Sequence, residues 1–272
     1  MKKFIFLLFV IVSFVNASIQ NLPLHILPHG CLEGQKAAKG HGHHGGGMKT
    51  AMYQLVGFNG SMDVDVQYYL SNLENKPLAM DANMINLPRS MYDNYHALVA
   101  NVSKDNVNYS AVYYLYKHGR PSKTSPTKLT SLKKASFEII PNNLPREHDR
   151  YYGSKSYEFI LRFKEKPLQN QHITLTTLNG TNQEIFTDSE GKFKISLPND
   201  FENVQVGRRA NQPSYFILSS SIKNDAKEYH TTLSSPYHVN PTDYWSSIPA
   251  GMSIAGVGFA FGLLLLWRRN HG

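Results

Sequence analysis

The residues best suited to chemistry lie near the start of the chain, where imidazoles and the only thiol come close together. The segment between Ala17 and Met48 holds five of the twelve histidines and the single cysteine: His25, His29, Cys31, His41, His43 and His44. Neutral imidazoles and thiolates are ligands that borderline transition metals prefer, and the glycines around the last three histidines let ligands close around an ion. The pattern predicts a metal-binding segment. The alternative is a solvated linker with incidental histidines.

Two histidines farther along the chain are candidates for a site in the folded part. His96 flanks a predicted strand, and His148 lies beside Glu147 and Asp149, either of which suits the role of oxygen ligand or orienting partner. We predict both histidines as additional ligands. A lone histidine is more often a hydrogen-bonded surface residue, which is the alternative for each.

The identity of the metal depends on the neighbouring thioethers. Six of the eight methionines follow the histidine tract closely: Met48, Met52, Met62, Met80, Met84 and Met91. Thioethers are soft ligands that favour Cu(I), although methionine also fills gaps in hydrophobic cores. Nitrogen sites bind copper most tightly of the divalent ions, so binding strength alone does not identify the natural metal.

No catalytic constellation is present in the sequence. It lacks a Gly-x-Ser-x-Gly elbow, a His-Glu-x-x-His pair and a phosphate-binding glycine loop. Cys31 lies in a segment predicted to be flexible, which cannot hold the geometry that nucleophilic catalysis demands. We therefore predict a protein that is not an enzyme, with no catalytic residues and no cofactor other than a metal ion.

Both ends of the chain carry membrane signals. Lys2 and Lys3, an apolar run and the small residues before Ser18 form a secretory signal peptide at 1–17. The uncharged stretch 248–267 matches a hydrocarbon core of about 30 Å at a rise of about 1.5 Å per residue. Arg268 and Arg269 provide the positive cytoplasmic flank. We predict a single-pass inner-membrane protein with most of its chain in the periplasm.

Small residues of the membrane segment predict contact with another helix. They fall close to one helical face: Gly251, Ala255, Gly258 and Gly262. Such a face lets a second backbone approach closely, so the predicted partner is a membrane metal permease or another transmembrane helix. The alternative is that glycine and alanine are simply common in such spans.

Charge and cysteine content limit which binding partners and which means of stabilising the fold are possible. The formal net charge is +8 with a sequence pI near 9.3, but four of the basic residues belong to the targeting and topology signals. No basic helix or basic-aromatic motif is present, so no nucleic-acid partner is predicted. One cysteine cannot form an internal disulfide, so the fold must rest on its hydrophobic core.

The middle of the chain has the pattern of short strands separated by turns. Strands are predicted at 62–68, 96–102, 109–116, 136–140, 157–163, 172–178, 183–187, 192–197 and 214–222. This predicts a mainly β fold of one or two β-sandwich domains of immunoglobulin or transthyretin type, with one C-terminal transmembrane helix. The predicted divisions are a signal peptide at 1–17, a flexible His/Gly-rich metal-binding tail at 18–50, an N-terminal β domain at 51–130, a transthyretin-like β domain at 131–243, a transmembrane helix at 248–267 and a cytoplasmic tail at 268–272.

Two turns give the later half its clearest signature. Asn179-Gly180 suits a hairpin turn, and Asp188-Ser-Glu-Gly191 suits a turn in which Asp accepts backbone hydrogen bonds. The arrangement over 136–222 resembles the transthyretin and carboxypeptidase-regulatory modules. With Phe137-Glu-Ile-Ile-Pro141, the leader and the anchor, it resembles the periplasmic accessory proteins of bacterial nickel and cobalt uptake systems. That resemblance implies metal delivery to a permease, with His25 and His29 as corresponding ligands.

These observations lead to one hypothesis and a rival. The hypothesis is a membrane-anchored periplasmic protein that captures nickel or cobalt and delivers it to a membrane transporter, with periplasmic copper delivery as an alternative. The rival is a surface β-module that binds a protein or a glycan and has no metal function.

Overall fold

The computed structural model describes residues 24–31, 51–60, 62–145, 150–245 and 248–271. Within these ranges the strands are β1 His25–Pro28, β2 Ala51–Val56, β3 Asp63–Tyr69, β4 Asn75–Leu78, β5 Met80–Asp81, β6 Met84–Leu87, β7 Asn94–Lys104, β8 Val107–Lys117, β9 Phe137–Pro141, β10 Tyr151–Tyr152, β11 Ser156–Phe163, β12 Lys166–Pro167, β13 His172–Thr177, β14 Asn182–Phe186, β15 Lys192–Ser196, β16 Ser214–Asn224 and β17 Lys227–His238. The helices are α1 Pro126–Ser131, α2 Pro241–Tyr244 and α3 Ile248–His271. The predicted mainly β fold is confirmed.

The strands form three sheets stacked in three layers. The central sheet has nine strands in the order β14-β13-β16-β17-β8-β7-β3-β4, with β10 added beside β17. The first outer sheet has the order β1-β2-β6-β5 and covers one face of the central sheet, which we call the first face. The second outer sheet has the order β12-β11-β15, with β9 beside β11, and covers the opposite, second face.

Two hydrophobic cores hold these layers together: the first core lies on the first face of the central sheet and the second core on the second face. In β7, Ala97 and Val99 belong to the core on the second face, whereas Leu98 and Ala100 belong to the core on the first face. Successive strand residues point to opposite faces, so a strand covered on both sides is apolar at every position. Each fully buried large aliphatic side chain contributes about 1.5–3 kcal/mol.

The nine strands predicted between 62 and 222 are all present, and so are both predicted turns. The Asp188 carboxylate accepts hydrogen bonds from the backbone nitrogens of Glu190 and Lys192, at 2.8 and 2.9 Å. Gly191 has φ +71°, and a Cβ there would lie 2.7 Å from the Cβ of Pro167. Only glycine therefore fits this turn without strain.

Two features of the predicted domain organisation differ from the structure. Residues 25–28, predicted to belong to a flexible tail, form the buried strand β1. The boundary predicted near 131 does not separate two sheets, because β8 and β17 pair in parallel within the central sheet, from Val107↔Glu228 to Tyr113↔Ser234. A parallel pairing between strands more than 100 residues apart leaves no local trace in the sequence.

One C-terminal helix is a candidate membrane span. Helix α3 contains an 18-residue window, Met252–Arg269, with a mean hydropathy of 1.3. Its length and composition are sufficient to cross a membrane as a single-pass anchor. A methyl group added at Gly258 or Gly262 would meet nothing within 4 Å, so this part of the helix surface is open to a neighbouring helix.

Candidate metal-binding segment

The predicted metal-binding tail is a connection between two paired strands. Strand β1 runs antiparallel to β2 with Pro28 opposite Tyr53, and the backbone nitrogen of His29 donates to the Met52 carbonyl at 3.0 Å. The connection from His29 to residue 50 is therefore anchored to the fold at both ends. We call these residues the β1–β2 connection. His41, His43 and His44 belong to it and lie outside the described residues, as does His148.

Two predicted ligands stand where this connection leaves the fold. The side chain of His29 is exposed, directly after β1. Cys31 is partly buried, and its thiol hydrogen-bonds with the Tyr215 hydroxyl. Burial raises the pKa of the Cys31 thiol, and the Tyr215 hydrogen bond offsets part of that rise. The thiol is therefore protonated at neutral pH, and a metal ion binding there must displace the proton.

The tyrosines around Cys31 were missed by the sequence analysis. Burial raises the pKa of Tyr53, Tyr113 and Tyr215 well above the ordinary value, and all three lie near the thiol. The rings of Tyr53 and Tyr113 are 5.1 Å apart. These residues come from β2, β8 and the start of β16, and no spacing in the sequence links them to a cysteine in the turn after β1.

His25 is placed where a metal ion in solution cannot reach it. The residue is 0% exposed within β1. The Thr232 hydroxyl donates to the Leu24 carbonyl at 2.6 Å, and the Ser234 hydroxyl donates to the Ile26 carbonyl. Metal binding at His25 would require β1 to leave the first core. Its prediction as a ligand beside His29 is therefore corrected for the folded protein.

His96 is held by hydrogen bonds at both ring nitrogens. Its Nδ1 lies 2.9 Å from the Tyr68 hydroxyl, and its Nε2 lies 3.3 Å from the Tyr92 carbonyl, an acceptor that requires the proton on Nε2. The ring also stacks on Tyr68 with centroids 5.4 Å apart. The one available lone pair, on Nδ1, faces the Tyr68 hydroxyl, so the geometry favours the alternative of a hydrogen-bonded core histidine.

Acid is expected to weaken the fold through His96. Burial lowers the pKa of His96 to about 4, below the ordinary value of 6.5. Because the folded-state pKa is the lower one, the unfolded chain binds the proton first, and stability is lost as pH falls from 6.5 towards 4. The expected loss is about 3 kcal/mol. Urea unfolding of the full chain at pH 7.5 and pH 4.5 measures it.

A variant pair isolates this contribution. His96→Gln should be less stable at neutral pH but lose less on acidification, because the titrating group is gone. His172→Gln changes an exposed histidine on β13 and should keep the wild-type pH dependence. If stability depended on pH equally in the wild type and in His96→Gln, His96 would not be the source of the acid sensitivity. His238 adds equally to the acid sensitivity of the wild type and of His96→Gln, because burial and the guanidinium of Arg150 lower its pKa to about 3.

The folded part offers little as a metal site by itself. Among the described residues, no three His, Cys, Asp or Glu side chains come together in a group that could hold a metal ion. Met62 and Met80 pack against the first core, as gap-filling methionines do. Met52 and Met91 are 45% and 67% exposed. The sulfur ligands that favour copper are therefore divided between core and surface.

Comparisons with known proteins add little to this geometry. No family model matches the sequence. No curated protein matches it either. Similar solved structures include a calcium-stabilised adhesin with which an Antarctic bacterium binds ice, at 14% identity and a TM-score of 0.27, covering 70% of this chain and 43% of that one. A 1.5-MDa bacterial ice-binding adhesin is similar at 13% identity and a TM-score of 0.26, covering 80% and 64%.

A segment of two fibronectin type III domains from chicken tenascin gives 9% identity and a TM-score of 0.20, covering 69% of this chain and 90% of that one. The chain thus spans less than two thirds of either adhesin chain. Likenesses this weak carry no argument about function.

Proposed function

We propose that this protein is a membrane-anchored, extracytoplasmic metal-capture protein whose β1–β2 connection binds a transition-metal ion and presents it to a membrane transporter. The observation that carries the proposal is the pairing of β1 with β2, which fixes both ends of the connection holding His29, Cys31, His41, His43 and His44. Nickel or cobalt is the proposed metal, with copper as the alternative.

The attachment of the β1–β2 connection at both ends supports reversible capture of a metal ion over its long-term storage. A closed connection samples fewer arrangements than a free tail, so bringing imidazoles and a thiolate together costs less conformational entropy. Any ordering of the connection that metal binding required would weaken the site relative to one preformed on rigid strands. An ion held this way leaves readily, and readiness to leave suits transfer to a partner.

The anchor supports a partner in the same membrane. Helix α3 would hold the β layers in the periplasm at the surface of the inner membrane, next to any transporter. The open surface at Gly258 and Gly262, with Gly251 and Ala255 near the same face, suits close contact with a permease helix.

Elemental analysis of the full-length chain tests the proposal. The protein is purified from membranes without an affinity tag, beside a variant carrying Cys31→Ser and alanine at His29, His41, His43 and His44. The wild type should hold about one ion per chain, and the variant should lose most of it because the imidazole and thiolate ligands are gone. His25 is left unchanged because it is fully buried within β1.

A control variant removes histidines elsewhere. His118→Ala with His172→Ala changes two exposed imidazoles outside the connection and should keep the wild-type metal content. Equal metal in the wild type and the connection variant would exclude the connection as the site. Absence of metal from all three, even after anaerobic reconstitution with nickel, cobalt or Cu(I), would favour the rival β-module without a metal function.

A further inference from the structure

A polar cleft interrupts the core on the second face of the central sheet. Its volume is about 320 Å³, and it opens between the sheet and the segment that leads from α1 into β9. The floor consists of four side chains in two directly opposed pairs, Asn101↔Ser110 and Ser103↔Asn108, on the adjacent strands β7 and β8. The next inward-facing positions along the same strands, Val99 and Val112, belong to the hydrophobic core.

The change from apolar to polar residues occurs at the same level on both strands. A sandwich continuing to its end would place apolar residues here, so amides and hydroxyls on an inward face indicate a surface made for polar contacts. Part of their capacity is already used: Asn101 Nδ2 donates to the Lys134 carbonyl at 3.4 Å, the Ser103 hydroxyl donates to Asn108 Oδ1 at 2.9 Å, and the Ser110 hydroxyl donates to the Phe137 carbonyl at 2.6 Å. No described residue accepts from Asn108 Nδ2.

The walls include the aromatic ring of Tyr229 and the cation of Lys133. Tyr229 of β17 is fixed by edge-to-face contact with Phe163, with ring centroids 4.9 Å apart. The exposed side chain of Lys133 stands at the rim, whereas the Lys134 ammonium is turned away to the Thr130 and Leu132 carbonyls. No carboxylate lines the cleft. The register places Asp65 beside Asn101 on the neighbouring strand, where it can accept hydrogen bonds at the edge.

We infer that this cleft binds a saccharide unit. Amide groups supply a donor and an acceptor each, which matches the adjacent hydroxyls of a sugar ring, and a tyrosine face suits its C–H surface. A phosphate-rich ligand would need more than one available cation. A bound peptide strand would use a sheet edge, and the floor here is a sheet face. The site is independent of the β1–β2 connection.

Saturation-transfer NMR on the full-length chain in phosphatidylcholine nanodiscs tests the inference and avoids sugar-based detergents. The probes are N-acetylglucosamine, galactose and glucuronic acid. At least one should receive saturation from the wild type. Asn108→Val, a change that suits a strand, should weaken its binding about tenfold through loss of the amide hydrogen bonds.

The matched control is Asn182→Val, at an exposed position on the edge strand β14, and it should bind as the wild type does. Lys133→Ala changes an exposed residue and should weaken the binding of glucuronic acid most, whether or not Asn108→Val folds. The inference is overturned if no probe receives saturation from the wild type. It is also overturned if folded Asn108→Val binds as Asn182→Val does, or if glucuronic acid binds the wild type and Lys133→Ala leaves that binding unchanged.

Discussion

Replacing Asp200 with alanine is expected to lower the free energy of unfolding by about 2–4 kcal/mol, because its carboxylate accepts hydrogen bonds from two separate strands and a turn. Oδ2 accepts from the hydroxyls of Thr177 and Thr181 at 2.6 and 2.7 Å. Oδ1 accepts from the Tyr237 hydroxyl at 2.5 Å and from Asn179 Nδ2 at 3.3 Å.

The expected loss is large because two of the four donors are fully buried. Thr177 and Tyr237 are both 0% exposed, so water cannot replace the missing acceptor without opening the core. The pKa of Tyr237 is raised by burial first and by the Asp200 carboxylate second, which keeps its hydroxyl protonated and able to donate. Asp200 thereby ties the segment after β15 to the β13–β14 hairpin and to the end of β17.

Two further substitutions make this expectation specific. Asp200→Asn retains one oxygen acceptor and should cost less than alanine. Glu202→Ala removes an exposed carboxylate two residues along the same segment and should leave stability nearly unchanged. Urea unfolding monitored by far-UV circular dichroism measures the stability of all three variants. Similar midpoints for Asp200→Ala and Glu202→Ala would show that the network does not stabilise the fold.

The local sequence pattern predicts the strands of the later half of the chain. It does not predict the residues that join the layers. The hairpin at Asn179-Gly180 and the turn at Asp188–Gly191 depend on φ preferences and short-range hydrogen bonds, which sequence alone reveals. Strand β17 has no such signal. Its inward Thr232 and Ser234 look like surface residues until β1 supplies the carbonyls to which they donate.

The candidate site shows the same division. The residue types at His29, Cys31, His41, His43 and His44 predict metal chemistry from composition alone. The burial of His25 could not be predicted, because the four residues of β1 show no helical or strand periodicity and are buried by contacts with β2, β8 and β17. Long-range packing decides whether a histidine near a predicted tail is a ligand or part of a core.

Breaking the buried ion pair between Glu138 and Arg162 should cost about 3–5 kcal/mol in the single variant Glu138→Leu, whereas the double variant with Arg162→Met should recover most of that loss. The two residues are directly opposed on β9 and β11 and are 1% and 9% exposed. Glu138 Oε1 lies 3.0 Å from Arg162 Nε and 2.9 Å from Nη2.

The surroundings explain why the single variant is the more damaging one. Arg162 also donates to the carbonyls of Ser131 and Leu132 at the end of α1, so it stays buried when its partner is removed. Burial lowers the pKa of the nearby Lys134 to about 8, and the Glu138 carboxylate offsets part of that effect. Without Glu138, two cations would lie in a site of low polarity with no carboxylate.

A double-mutant cycle on the full chain measures the coupling between the two side chains. The exposed pair Glu190 and Lys192, whose ammonium lies 2.5 Å from the carboxylate, is the control, and Glu190→Leu should have little effect because water replaces the lost partner. Additive losses from Glu138→Leu and Arg162→Met would contradict the expected coupling. If the double variant is nearly as stable as the wild type, as expected, hydrophobic residues can replace the pair, and its contribution is to fix which residues of β9 and β11 face α1 rather than to add net stability.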